Sequence, residues 1–289
     1  MKKLILAGAF LLIGVSLVAQ PASKYTTAKA LEQVLAYRSD RKFPLILAHR
    51  GGPEMTETEN SLETFRHTVQ QIPDAIIEMD VRMTADSVLV LLHDDEIERT
   101  TTGKGLLKGQ TWAELKAVFL RDLQGHPTRQ RIPLFDDVLR WGAGKVLMAI
   151  DAKPEVDLRK VMKAIVDRGA LHSVFVICYS TADAVKLRTE YPDVWIALGF
   201  NTADHGETLQ KAGLSLHHLI ALAARQGSDF YRRVHQDGIA CTAGTYGPDN
   251  LDEKPISEVD DDYRKIFQTG ADILTTDRPV AVWRLFKDL

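Results

Sequence analysis

Cysteine is scarce in this 289-residue chain: Cys178 and Cys241 are the only two, each inside an apolar run. So few exclude a small disulfide scaffold. A single bridge in an oxidising compartment stays open, and two buried thiols behaving as small core side chains are the simpler expectation. Basic charge is not in excess. Lys and Arg total 36 against 39 Asp and Glu, for a net charge of −3. A nucleic-acid-binding surface is ordinarily basic, so no such partner is expected. After the N-terminal segment no stretch is apolar for the roughly 20 residues that span a bilayer. Internal repeats, low-complexity tracts and linkers are also lacking. One domain over residues 24–289 is therefore expected rather than two.

The N-terminal segment differs in kind. Lys2-Lys3, the run LILAGAFLLIGVSLVA and a small residue at Ala19 have the pattern of a secretory signal peptide, residues 1–20. The run is short for a membrane anchor, and no cysteine follows it to carry a lipid. Cleavage near Ala19 or Gln20 is expected. That gives an exported protein, periplasmic or secreted, with no stable membrane insertion once the signal is removed.

Residues 24–40 carry apolar side chains at helical spacing, predicting a helix before the first strand. Three short apolar runs follow, Leu45–Ala48, Ala75–Ile77 and Val88–Leu92, and each leads into ionisable residues. Between the first two, Leu62, Phe65 and Val69 share one helical face, and Asn60 or Ser61 can cap that helix. Thr84-Ala85-Asp86-Ser87 leaves room only for a turn, since a parallel crossover needs a dozen or more residues. Residues 95–140 show no clear strand. Helix starts are expected at Thr111 and Phe135, and a polar loop over 125–130. Further strands are expected at 146–151, 174–179, 194–200, 217–222, 238–242 and 272–275, with helices in most of the gaps. Nine candidates are one too many for a closed eight-stranded barrel, so either 217–222 or 88–92 should depart from it.

Alternating strands and helices predict parallel strands, whose C-terminal ends collect catalytic groups. Those groups are His49-Arg50, Glu78 with Asp80, and His93-Asp94. Glu78 and Asp80 are two apart on a strand and point to one face. Paired carboxylates repel unless a cation lies between them. A hard divalent ion such as Ca²⁺ or Mg²⁺ suits oxygen ligands, and Asp151 at the end of VLMAID can supply a third carboxylate. His49 and His93 titrate near neutrality and suit acid–base work. Arg50 can fork two N–H donors onto phosphate oxygens. Glu59 can accept from Arg50 or Lys153, reach the metal, or simply balance a helix N-terminus. Lys153 can contact phosphate or hold Asp151, and Gly51-Gly52 allow a close backbone approach or a plain turn. Tyr246 and Phe200 are candidates for substrate contact or for core packing. The remaining seven histidines, His217-His218 among them, have no comparable setting.

The ordered set His49-Arg50-Gly51, Thr58-Glu59-Asn60-Ser61, Glu78-x-Asp80 and His93-Asp94 resembles the glycerophosphodiester phosphodiesterases. The segments from Arg99 to Gly105, Ile132-Pro133-Leu134 and Thr276-Asp277-Arg278-Pro279 are similar to that family as well. The likeness spans roughly residues 44–281. Thr58 and Ser61 stand where the family has proline and threonine. Asp151, followed by Lys153, stands where it has glutamate, which leaves metal preference open. Ile239 to Tyr246 stands where it commonly carries a tryptophan.

The resemblance implies an irregular (β/α)8 TIM barrel whose inserted segment at about 95–140 helps shape the pocket. It also implies metal-dependent hydrolysis of a small-molecule phosphodiester to glycerol 3-phosphate and an alcohol. His49 and His93 would share the proton transfers, Glu78, Asp80 and Asp151 would hold the metal, and Arg50, Lys153 and Glu59 would meet the substrate. Internal attack by a glycerol hydroxyl and direct attack by water both stay open. Two other readings remain: a related phosphodiesterase acting on an intact lipid or another phosphodiester, and a non-catalytic phosphate- or glycan-binding barrel.

Overall fold

The computed structural model describes residues 23–247 and 249–287. Residues 1–20, where a signal peptide is expected, lie outside them. In chain order the first elements are α1 (Ala28–Leu35), β1 (Leu45–Ala48), α2 (Leu62–Gln71), β2 (Ile76–Met83) and β3 (Leu89–Leu91). Next come α3 (Trp112–Leu115), β4 (Phe119–Arg121), β5 (Pro127–Arg131) and α4 (Phe135–Gly142). Regular alternation then takes over with β6 (Leu147–Ala152), α5 (Leu158–Asp167), β7 (Val174–Cys178), α6 (Thr181–Glu190), β8 (Trp195–Gly199) and α7 (His205–Lys211). It finishes with β9 (Leu219–Leu222), α8 (Ser228–Gln236), β10 (Ala240–Gly244), α9 (Ile256–Thr269), β11 (Ile273–Thr276) and α10 (Pro279–Lys287).

Among the described residues, β1, β2 and β6–β11 pair in parallel, and the β1–β2 and β1–β11 pairings close the barrel. Of the two runs under suspicion, 88–92 is the irregular one. It forms β3, which returns antiparallel along β2 after the turn at 84–87. The 217–222 run was suspected without cause: β9 pairs in parallel on both sides.

Strand alternation sorts the side chains. Leu47, Ile76, Leu147, Ala149, Phe175, Trp195, Ala197, Ile220 and Ile273 fill the barrel interior, while Ile77, Met79, Met148 and Ile150 pack outward against the helices. Leu31 and Leu35 of α1 join the inner group and plug the floor. Each such leucine stabilises by roughly 1.5–3 kcal/mol on full burial. Ser61 caps α2, its Oγ accepting from Thr64 N–H at 3.2 Å, which is worth about 1 kcal/mol.

The expected loop at 125–130 is instead part of a hairpin, in which β5 pairs antiparallel with β4. Its side chains alternate exposed and half-buried, so the strand has no apolar signature. The hairpin packs on the loop before Glu59. Leu123 N–H donates to the Glu57 carbonyl at 3.1 Å, and Thr58 Oγ1 donates to Gln130 Oε1 at 2.5 Å. Cys178 and Cys241 are free, buried thiols rather than a disulfide. Phe200 is core and does not line the mouth. Among the described residues no helix is long and apolar enough to cross a membrane.

Candidate active site

The inward row of β2 begins with Ile76 in the barrel core and continues with Glu78 and Asp80. Both carboxylates are buried. They lie within β2 rather than at its tip, because this strand overshoots its neighbour β1 and runs on to pair with β3. On the other side Asp80 is in register with Asp151 of β6. Glu78, Asp80 and Asp151 each offer a carboxylate oxygen within 4.8 Å of the others.

Several donors hold this cluster. Lys153 Nζ donates to Asp151 Oδ2 at 2.8 Å and pairs with Asp80 Oδ1 at 2.6 Å. Asn60 clamps Asp80 from both ends: its Nδ2 donates to Oδ2 at 2.7 Å, and its Oδ1 accepts from the Asp80 N–H at 2.9 Å. Tyr179 donates its hydroxyl to Asp151 Oδ1 at 2.6 Å, and Arg50 N–H donates to Glu78 Oε2 at 2.6 Å. These surroundings separate the carboxyls electrostatically. Burial, then the charge of Asp80, pushes the Glu78 carboxyl well above the usual carboxylate range. Burial also opposes ionisation of Asp80, yet the ammonium of Lys153 and the hydrogen bonds from Lys153 and Asn60 outweigh it and hold that group low. Lys153 in turn is raised: burial acts against its charge, and the two aspartates overcome it.

His49 follows β1 and opens a tight turn through Gly51. Arg50 (φ 52°), Gly51 (φ 89°) and Gly52 (φ 70°) are all left-handed, a region costly for residues with a side chain. The glycines also permit close packing, since a Cβ at Gly51 would strike Phe65 of α2 and one at Gly52 would strike Pro279 of α10. Both the turn and the close approach therefore call for glycine here.

The two histidines share a design. His49 Nδ1 bonds Asp277 Oδ1 at 2.6 Å, and His93 Nδ1 bonds Asp94 Oδ1 at 2.7 Å. A carboxylate on Nδ1 fixes the neutral tautomer with its proton there and leaves Nε2 for chemistry. The ring of His49 stacks on Tyr246, centroids 4.4 Å apart. His93 is brought beside the carboxylates by β3, which runs back along β2 until Leu92 N–H donates to the Asp80 carbonyl at 3.1 Å. Arg82 fixes the His93 backbone, donating Nε to its carbonyl at 2.8 Å.

Behind the histidines runs an ionic chain. Arg99 donates to both oxygens of Asp94 and to both oxygens of Glu59, the latter at 2.8 Å each. Glu59 also accepts from Arg50 Nη1 at 3.1 Å. Glu59 is therefore spent on two arginines, and among the described residues its carboxylate is paired with neither Lys153 nor the cluster of Glu78, Asp80 and Asp151, unlike two of its expected options. Arg50 Nε is buried with no hydrogen-bond partner, 3.8 Å from Asp80 Oδ2. A buried donor without a hydrogen bond is costly, and a guanidinium suits an anion. A cavity of about 260 Å³ lies beside Lys153 and Tyr179, between α5 and α6.

The structure thus brings together His49, Arg50, Glu78, Asp80, His93, Asp151 and Lys153. The sequence alone gives no role to Asp277, Arg99, Arg82 or Tyr179, and it places Asp94 at the strand end without its part as partner of His93. Asn60 was read only as a helix cap, a task that Ser61 performs.

A family model, the glycerophosphoryl diester phosphodiesterase family, matches residues 49–281. The chain belongs to the glycerophosphoryl diester phosphodiesterase family. The chain is similar over 253 residues to the uncharacterized YqiK of Bacillus subtilis, at 26% identity, covering 84% of this chain and 98% of that protein. It is 35% identical over 109 residues to the putative glycerophosphodiester phosphodiesterase YhdW of the same organism, a match spanning 37% of this chain and 44% of that relative. Among solved structures, a glycerophosphoryl diester phosphodiesterase from Parabacteroides distasonis superposes with a TM-score of 0.86 at 30% identity, covering 93% of this chain and 95% of the other. A phosphodiesterase from Oleispira antarctica, solved with its product sn-glycerol-3-phosphate, shares the fold of this family member with a TM-score of 0.65 at 19% identity, covering 84% and 96%.

Proposed function

We propose that this family member hydrolyses glycerophosphodiesters to glycerol 3-phosphate and an alcohol, using one divalent cation, Ca²⁺ or Mg²⁺. The observation that carries this reading is two histidine–carboxylate pairs set around one cluster of three carboxylates, two of them buried. The donor set fits such an ion. Three carboxylates lie within 4.8 Å of one another, with Lys153 bonded to two of them, and all-oxygen ligation suits hard cations. Glu78, Asp80 and Asp151 would hold the ion. Bound there, it would polarise the phosphoryl oxygens and offset their charge.

The chain's own residues supply the rest. Arg50 offers its unpaired Nε–H to a phosphate oxygen, and Glu59 holds the guanidinium in place from behind. One histidine takes the proton of the attacking hydroxyl at Nε2, and the other donates a proton to the departing alkoxide. Asp277 and Asp94 stabilise whichever ring is charged. Attack by water gives glycerol 3-phosphate in one step, whereas attack by the neighbouring glycerol hydroxyl expels the alcohol and forms a cyclic glycerol phosphate, which water then opens with the two histidines exchanging roles. With residues 1–20 read as a secretory signal, the reaction takes place outside the cytoplasm, and the N-terminal sequence of exported protein would begin at Gln20 or Pro21.

Purified protein should release glycerol phosphate from a panel of glycerophosphodiesters that differ in head group. Folded protein that releases none, from any member of the panel, overturns the reading.

A further inference from the structure

The barrel floor, opposite the mouth, carries a second cluster of ligating side chains. Glu32 projects from α1, and His217 and His218 lead into β9. Their ligand atoms all lie within 4.8 Å of one another. His217 Nε2 already bonds Glu32 Oε1 at 3.2 Å, across 185 residues of sequence.

Neighbouring side chains on extended backbone point to opposite faces. These two do not, because His218 is held left-handed at φ 57°, and the imidazole centroids stand 4.0 Å apart. A left-handed residue with a side chain is uncommon, and such local strain is a pointer to function. The turn is braced from behind: Arg188 donates Nη1 to the His217 carbonyl at 2.6 Å and Nη2 to the His218 carbonyl at 2.9 Å. The Ile196 N–H also donates to the His218 carbonyl at 3.0 Å.

We propose that Glu32, His217 and His218 form a second cation site, for a transition metal such as Zn²⁺, which staples α1 to the barrel floor. Two imidazoles and a carboxylate suit Zn²⁺, Cu²⁺ or Ni²⁺, whereas the mouth's carboxylates suit hard cations. The chain thus sorts two classes of metal to opposite ends. In a tetrahedral Zn²⁺ site the ligand atoms lie about 3.3 Å apart, given bonds of about 2.0 Å. The His217–Glu32 pair already meets that spacing, and the exposed ring of His217 leaves the fourth position open to water.

A different trio, His235, Cys241 and Asp272, lacks this freedom. There Asp272 Oδ2 bonds His235 Nε2 at 2.9 Å and accepts from the Cys241 backbone N–H at 2.8 Å, and the thiol is fully buried.

The test is a Zn²⁺ titration by calorimetry of the untagged mature chain, with the mouth kept saturated by Mg²⁺. One Zn²⁺ should bind per chain, and Tm should rise by roughly 5 °C at a hundredfold excess over Kd. Glu32→Gln and His217→Ala should each weaken binding at least tenfold and leave Mg²⁺-supported turnover unchanged, while Glu78→Gln should leave Zn²⁺ affinity unchanged. Cu²⁺ supplies a second readout on the unmodified chain. The Trp195 indole lies 5.0 Å from the His218 ring, so stoichiometric Cu²⁺ should quench fluorescence that Trp195→Phe removes. Zn²⁺ binding that survives both floor substitutions, or is lost with Glu78→Gln, overturns the proposal. So does the absence of Zn²⁺ binding or of quenching.

Discussion

His49 and Asp277 lie 228 residues apart in the chain and share a hydrogen bond of 2.6 Å between Nδ1 and Oδ1. The register of the barrel brings them together. Ala48 of β1 is paired with Thr276 of β11, so the next residue on each strand meets its counterpart as the barrel closes.

That pairing makes Asp277 a positioning residue. Asp277→Asn preserves size but loses the charge that orients the ring and balances its protonated form. Turnover should fall by roughly 10²-fold or more with KM changed far less. Steady-state kinetics on one glycerophosphodiester would show it, and an unchanged kcat would remove Asp277 from the mechanism.

Asp94 plays the matching part for His93, and it makes stability depend on acid. Burial works against its charge, but Arg99 and His93 hold its carboxyl at about 2, below the ordinary 3.8. Between those values the unfolded chain binds the proton and the native one does not, so stability falls as pH falls. The contribution is whole above about pH 4 and is lost as pH drops through about 2. The Tm difference between the wild type and Asp94→Asn should therefore be constant above about pH 4 and shrink steadily below it. A gap that persists unchanged at pH 2 would contradict this.

Much of this was legible in the sequence, and the exceptions have physical causes. The strands of the barrel are buried on both faces, so Leu45–Ala48, Ile76–Met83 and Leu147–Ala152 read as apolar runs interrupted where the inward row turns acidic. The site carboxylates and both histidines could be found because they break those runs. β5 could not, because Pro127–Arg131 is held by pairing with β4 rather than by burial. The cation of Arg131 over the Phe119 ring at 3.4 Å is a contact between surface residues. Asp277, Arg99 and Arg82 were missed because each acts through a partner that only the folded chain supplies.

Lys153 bridges Asp80 and Asp151 where a divalent ion is expected to sit nearby, so the two cations share one task. In chelator, Lys153→Met leaves the buried carboxylate of Asp80 and the half-buried one of Asp151 without their ammonium, at a cost of roughly 3 kcal/mol. Added Mg²⁺ should restore more Tm to this variant than it adds to the wild type. Equal shifts in both proteins would separate the lysine from the cation site.

Gly52→Ala should destabilise by more than 1 kcal/mol, because its left-handed φ of 70° and the Pro279 ring both oppose a Cβ. Denaturant unfolding measures it. A variant as stable as the wild type would show that the turn has room.

The most direct test of the account is glycerol phosphate release measured across a Mg²⁺ and Ca²⁺ titration after chelation, for the wild type and for Glu78→Gln. The account predicts that chelator abolishes wild-type release, that one of the two ions restores it, and that Glu78→Gln stays inactive at ion concentrations saturating for the wild type while remaining folded. Release that continues undiminished in chelator, or a Glu78→Gln enzyme with full turnover, would contradict it.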